Sequence, residues 1–201
     1  MTEPTGSDTR SKILIAAATM LAEDPTARLS VRAVAAKAGV STGSLRHFFP
    51  TQQVLLDTVI EGLQTLDIPD DPMADATKAP AERLQACLQL LLSAVGTGAS
   101  ARQNWTALHD AYVASPTPEE SAQTFLAMER LAVSRVDRWL AQLHEEDALV
   151  DGDREQQSHF LLSVVNGLSL ERAFPGARAR LGFESSSLRL AVTAVLRADA
   201  S

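Results

Sequence analysis

The densest grouping of chemically useful side chains in the sequence is Ser41-Thr42-Gly43-Ser44-Leu45-Arg46-His47. Small hydroxyls can hydrogen-bond phosphates or base edges, and glycine lets a backbone approach a ligand closely. Arg46 can make a charge-assisted bond to a phosphate or reach a guanine. At a helix start, unpaired N–H groups add a further attraction for phosphate. This chemistry recognises a ligand and breaks no bond.

Catalytic groupings are missing from the rest of the chain. No two of the histidines stand at a helical metal-ligand spacing. His109 and Asp110 are adjacent, so on a helix they are expected to point in different directions. His144 sits beside Glu145, Glu146 and Asp147, which reads as a solvated helix end. There is neither a Gly-rich phosphate loop nor a nucleophile-elbow motif. The single cysteine, Cys87, can form neither an intrachain disulfide nor a zinc-binding cluster. It reads as a small apolar residue in a helix, in a reducing compartment. The expectation is a protein that is not an enzyme, with no catalytic residues, no metal and no cofactor.

Helices must position the hydroxyl-rich segment. A first helix is expected over 8–23, with Ile13, Ala17, Met20 and Leu21 on one face and Asp24-Pro25 as its stop. Ser30 can cap a second, short helix whose buried stripe is Val31, Val34, Ala35 and Ala38. Gly39 stands where a helix stop needs a left-handed residue, and Val40 is expected to pack inward. Ser41 can cap a third helix, 41–49, with Leu45 and Phe48 or Phe49 inside and Pro50 as its stop. Two short helices joined by a Gly-containing turn have the dimensions of a helix-turn-helix, whose second helix enters the DNA major groove. The same residues are also compatible with a plain αα-hairpin.

A fourth helix, 51–66, would be capped by Thr51 and carry Val54, Leu55, Val59, Leu63 and Leu66 as apolar positions. Residues 67–80 hold three prolines and four aspartates and read as a surface connection. Five further helices are expected at about 81–95, 101–114, 117–145, 154–174 and 186–198. The longest opens with a capping-box spacing, Thr117-Pro118-Glu119-Glu120, and carries Phe125, Met128, Ala132, Val136, Trp139 and Leu143 in period. No stretch alternates apolar and polar residues, so an all-α chain of about nine helices is expected.

The series Ile13-Leu14-x-Ala16-Ala17, Leu21-Ala22-Glu23, Ser30-Val31-Arg32-x-Val34-Ala35-x-x-Ala38-Gly39-Val40-Ser41-Thr42-Gly43-Ser44-Leu45-x-His47-Phe48-Phe49 and Leu55-Leu56 resembles the N-terminal domain of the TetR family of transcriptional regulators. The resemblance covers about residues 10–60. It implies that Arg32 reaches a base edge or a phosphate, that Thr42 and Gly43 face the major groove, and that Ser44 contacts the DNA backbone. His47 matches a position that often faces DNA. Arg46 stands where the family commonly has a phosphate-bonding Tyr, and Gln52 or Gln53 where it often has a Lys. The DNA-binding set is therefore Arg32, Ser41, Thr42, Gly43, Ser44, Arg46, His47 and Gln52.

Composition agrees with a helical, globular chain. Its 201 residues are 45% hydrophobic and 21% charged, with only nine aromatic side chains, which favours helix over sheet. The net charge of −7 argues against a nucleic-acid partner until it is divided along the chain. Residues 1–66 carry six cations and six anions, whereas residues 67–201 carry 12 and 19. Between residues 10 and 50, Arg10, Lys12, Arg28, Arg32, Lys37 and Arg46 face only Glu23 and Asp24. Such asymmetry suggests different partners for the two parts. No apolar run approaches the roughly 20 residues of a membrane span. The first dozen residues are polar, without a signal-peptide core. A cytoplasmic protein without a membrane partner is expected.

The expected organisation is a helix-turn-helix domain at 8–50, a connecting helix at 51–66, and a ligand-binding and dimerisation domain at 67–201. Trp105, His109 and Tyr112 share a helix face and, with Phe125 and Met128, are candidates to line a mostly apolar effector pocket. They are equally compatible with core packing. The last two helices offer Leu161, Val164, Val165, Leu168, Leu188, Val192 and Val195 as dimer contacts, with Gly167 permitting close helix approach. In the resembling family these helices pack against their mates. That family also implies a homodimeric repressor on a palindromic operator, released by a small molecule. Two other readings stay open: a DNA-binding regulator or architectural protein without a ligand, and a helical adaptor or enzyme that has lost DNA binding.

Overall fold

The computed structural model describes residues 6–23, 29–64, 71–114 and 118–198. Among these it has nine α-helices: α1 (Gly6–Glu23), α2 (Val31–Ala38), α3 (Thr42–Phe48), α4 (Gln52–Gln64), α5 (Pro80–Ser93), α6 (Ala99–Leu108), α7 (Pro118–Glu145), α8 (Arg154–Glu171) and α9 (Ala177–Val195). A 3-10 turn, Pro72–Ala74, precedes α5, and a π-helical turn, His109–Val113, continues α6. No strand occurs among the described residues; an isolated antiparallel bridge joins Leu149 to Leu196. The fold is all-α. No described helix is long and apolar enough to cross a membrane.

The chain divides into two compact units, 1–66 with 108–131, and 67–107 with 132–201. In the first, α1, α2, α3 and α4 enclose Ile13, Ala17, Leu29, Val34, Leu45, Phe49 and Leu55, and Ala127 of α7 joins that core. In the second, α5, α8, α9 and the C-terminal half of α7 enclose a larger core around Leu84, Leu88, Trp139, Leu140, Leu161 and Leu188. Cys87 is buried there, and burial pushes its thiol well above the ordinary range.

Several elements depart from expectation. Helix α8 ends at Glu171 and α9 begins at Ala177, nine residues before the expected start. The turn runs through Gly176, at φ +82°, a left-handed conformation that suits glycine. The polar Ser185-Ser186-Ser187 run lies inside α9. Val54 and Phe125 fit apolar periods yet lie on exposed faces, whereas Phe49, just beyond α3, is buried. His109 and Asp110 are exposed and do meet, Nδ1 lying 3.2 Å from Oδ1. The Asp24-Pro25 stop, Arg28, Leu66 and the Thr117 cap lie outside the described residues.

Candidate nucleic-acid interface

Local hydrogen bonds build the α2–turn–α3 unit. Ser30 Oγ accepts from the Ala33 N–H at 3.1 Å, capping α2. Gly39 takes φ +67°, its N–H donates to Ala36 O, and Val40 N–H donates back to Ala35 O at 3.0 Å. Ser41 then caps α3, its Oγ accepting from the Ser44 N–H at 3.0 Å. Val34, Ala35 and Leu45 turn inward, so the opposite faces of both helices face solvent.

That arrangement leaves Arg32, Ser41, Thr42, Gly43, Arg46, His47 and Gln52 exposed, with Ser44 half-buried. A Cβ added at Gly43 would meet only Ser41 Oγ, at 3.8 Å, so nothing within the chain requires glycine there. His47 packs edge-on against Phe48 at 5.1 Å and keeps its ring at the surface. Two nearby cations are already matched, Lys12 to Asp8 at 2.7 Å and Lys37 to Glu23 at 2.8 Å. Arg10 lies over the Phe49 ring at 5.6 Å. Arg32 and Arg46 have no ion-pair partner among the described residues, so their charge is available to a polyanion. The two glutamines separate: Gln52 is exposed, whereas Gln53 Nε2 donates to Asp57 Oδ1 at 2.8 Å.

The candidate effector residues are brought together in part. The Tyr112 and Phe125 rings stand 5.4 Å apart, and the Tyr112 hydroxyl points at Met128 Sδ, 3.6 Å away. His109 is exposed, and Trp105 belongs to the second unit.

The candidate dimer contacts lie largely inside the chain itself. Leu161, Val165, Leu168, Leu188, Val192 and Val195 are buried in the chain's own second core, with Val164 half-buried against it. Both helices are apolar on more than one side, and the chain's own core takes the side that periodicity first suggested. The surface instead carries Phe160 and Gly167 on α8, and Phe183 and Leu190 on α9, the last two 72% and 71% exposed.

Polar ties between distant residues carry no sequence signal. Buried Arg83 grips the Glu146 carboxylate with both terminal nitrogens and also donates to Met73 O at 3.2 Å. The Arg83 hydrogen bonds hold Glu146 below the ordinary carboxylate range. Arg172 holds Glu184 at 2.7 and 2.6 Å and reaches the Leu92 carbonyl. Asp71 accepts from Trp139 Nε1 at 3.0 and 3.1 Å. In the first unit Arg130 donates to Asp57 at 2.9 Å, the oxygen that Gln53 also uses.

Residues 13–59 match the family of bacterial regulatory proteins known as the tetR family. No curated protein matches the sequence. Among solved structures, a TetR family protein from Vibrio parahaemolyticus is 21% identical, with 94% of this chain and 100% of that chain covered at a TM-score of 0.51. One from Shewanella sp. PV-4 is 19% identical over 94% and 98%, TM-score 0.52. Another, from Mesorhizobium loti, is 16% identical over 97% and 100%, TM-score 0.53. At those identities the likeness is one of fold. The sequence match is confined to residues 13–59, where the chain resembles the tetR-family regulatory proteins, and over nearly the whole length the chain shares the fold of these structures.

Proposed function

We propose that the protein is a ligand-responsive repressor that binds a palindromic operator as a homodimer. The observation that carries the DNA contact is the outward row of Arg32, Thr42, Gly43, Arg46 and His47, whose two arginines have no carboxylate partner among the described residues of an otherwise acidic protein. Thr42 and Gly43 meet base edges. Arg46 bonds a phosphate or a guanine, and Arg32, Ser41, Ser44, His47 and Gln52 fix the register. Two-fold pairing through the outward sides of α8 and α9, around Phe160, Gly167, Phe183 and Leu190, presents two such units to two half-sites. The functional division is 8–50 for DNA, 51–66 as connector and 67–201 for effector and dimer. Tyr112, Phe125 and Met128, which touch one another, contact the effector. An effector lowers operator affinity by binding one conformation better than another, with α4 transmitting the change.

The test exposes the purified protein to randomised duplex DNA at two salt concentrations and sequences what is retained. Enrichment of one palindrome supports the reading. Retention without sequence preference that falls steeply with salt reduces it to backbone binding, and no retention in any condition removes DNA binding.

A further inference from the structure

One cation of the first unit is held in place by a ring instead of a carboxylate. Arg10, near the start of α1, is exposed, and its guanidinium carbon lies 5.6 Å from the centre of the Phe49 ring. Asp8, the acid nearest to it in sequence, is taken by Lys12, and Glu23 by Lys37. Arg10 has no ion pair and no side-chain hydrogen bond among the described residues. Phe49 is buried, and its N–H donates to Leu45 O at 2.8 Å, closing the last turn of α3. Arg46 and His47 belong to that same turn. Phe49 follows Arg46 by three residues, a spacing that makes neighbours along a helical path. Arg10 therefore brings a further outward charge to the end of α3 that carries Arg46, and it does so from a helix that lies before the helix-turn-helix. Stacking accounts for where the guanidinium sits but not for its hydrogen bonds. A ring face accepts no conventional hydrogen bond, so the N–H donors remain available to an anion.

We propose that Arg10 is a DNA-backbone contact: seated on Phe49, its guanidinium binds a phosphate beside the last turn of α3 and extends the interface to α1. A phosphate accepts two parallel N–H bonds from a guanidinium. A side chain already held on a ring has less rotamer freedom left to lose on binding. Phosphate is the partner, not a base edge, because the N-terminal residues of the recognition helix meet the bases, whereas Arg10 stands at the opposite end of α3 and on another helix. This inference rests on reading the first unit as DNA-binding and adds a contact to that same surface.

The test uses the full chain and two duplexes of equal length, one enriched from the randomised pool and one of unrelated sequence, with binding measured over a series of salt concentrations. Arg10→Met removes the charge and keeps an apolar cover over Phe49; Arg10→Gln removes the charge and keeps a hydrogen-bond donor. Both are expected to weaken binding to the two duplexes by the same factor, about tenfold, and to lower the salt slope by about one for each bound chain. Arg10→Lys keeps the charge and loses the fork, and is expected to keep the parent's slope while binding more weakly. Melting temperatures are read on the same samples. A stack that only covers the core predicts a lower melting temperature with an unchanged slope. The contact is overturned if the uncharged variants keep the parent's slope, if they lose preference at one base position, or if neither folds at the temperature of the binding measurement. A parent that binds neither duplex removes the DNA-binding reading and this contact together. A parent that binds, with uncharged variants that match it, removes Arg10 alone.

Discussion

Arg83 on α5 and Glu146 just past the end of α7 form a two-pronged ion pair, with the guanidinium almost fully buried and the carboxylate side chain 35% exposed. Loss of the carboxylate leaves a buried cation that, among the described residues, keeps the Met73 carbonyl and sulfur as acceptors. Glu146→Gln is therefore expected to cost about 2–3 kcal/mol, below the full cost of breaking a buried pair because Glu146 reaches solvent. Urea unfolding of the two proteins measures it.

The same pair sets a pH dependence. Hydrogen bonds from Arg83 hold the Glu146 carboxyl below its ordinary value, so the folded state releases that proton more readily than the unfolded chain. The resulting stability is fully present above the unfolded glutamate pKa of about 4.3, and is lost as pH falls through the lower folded value. The gap between parent and Glu146→Gln is expected to be constant near neutrality and to shrink below about pH 4. A gap that widens on acidification would contradict this assignment.

Two glycines of the helix-turn-helix are expected to behave in opposite ways. Gly39 sits at φ +67° with open space where a Cβ would go, so Gly39→Ala costs backbone strain alone, about 1–2 kcal/mol. Gly43 is helical, and its added methyl would make one ordinary contact. Gly43→Ala should leave the fold as stable or raise it by about 0.5–1 kcal/mol while weakening operator retention. Thermal melts and DNA retention on the same samples separate the effects.

Arg46→Ala should leave the melting temperature unchanged, since the side chain is exposed and has no ion-pair partner among the described residues. If Arg46 reads a base, operator affinity falls by about 1–3 kcal/mol and preference relaxes at one position; if it holds a phosphate, all sequences weaken alike and the salt slope drops by about one. Unchanged binding removes Arg46 from the interface.

Leu190→Glu and Val192→Glu lie two residues apart on α9 and face opposite environments, one exposed and one in the core. Leu190→Glu is expected to yield a folded monomer in sedimentation experiments. Val192→Glu is expected to unfold the second unit, because a buried charge there has no partner. A dimer that survives Leu190→Glu moves the interface off this face.

The helix-turn-helix was legible because its determinants are local. Ser30, Gly39 and Ser41 act within about four residues of themselves, through a cap, a left-handed stop and a second cap. The outward placement of the proposed DNA contacts follows from the same periodicity that places Val34 and Leu45 inside. Which side of α8 and α9 enters the core could not be read this way. Both helices carry apolar residues around more of their circumference than one neighbour can cover, so burial depends on which helices arrive from elsewhere in the chain. The same holds for Arg83 with Glu146 and Asp71 with Trp139, whose partners lie 63 and 68 residues away. Hydrogen bonds within one helical turn are written in residue spacing. Side chains meeting across a core are placed by packing, and packing sums over the whole unit at once.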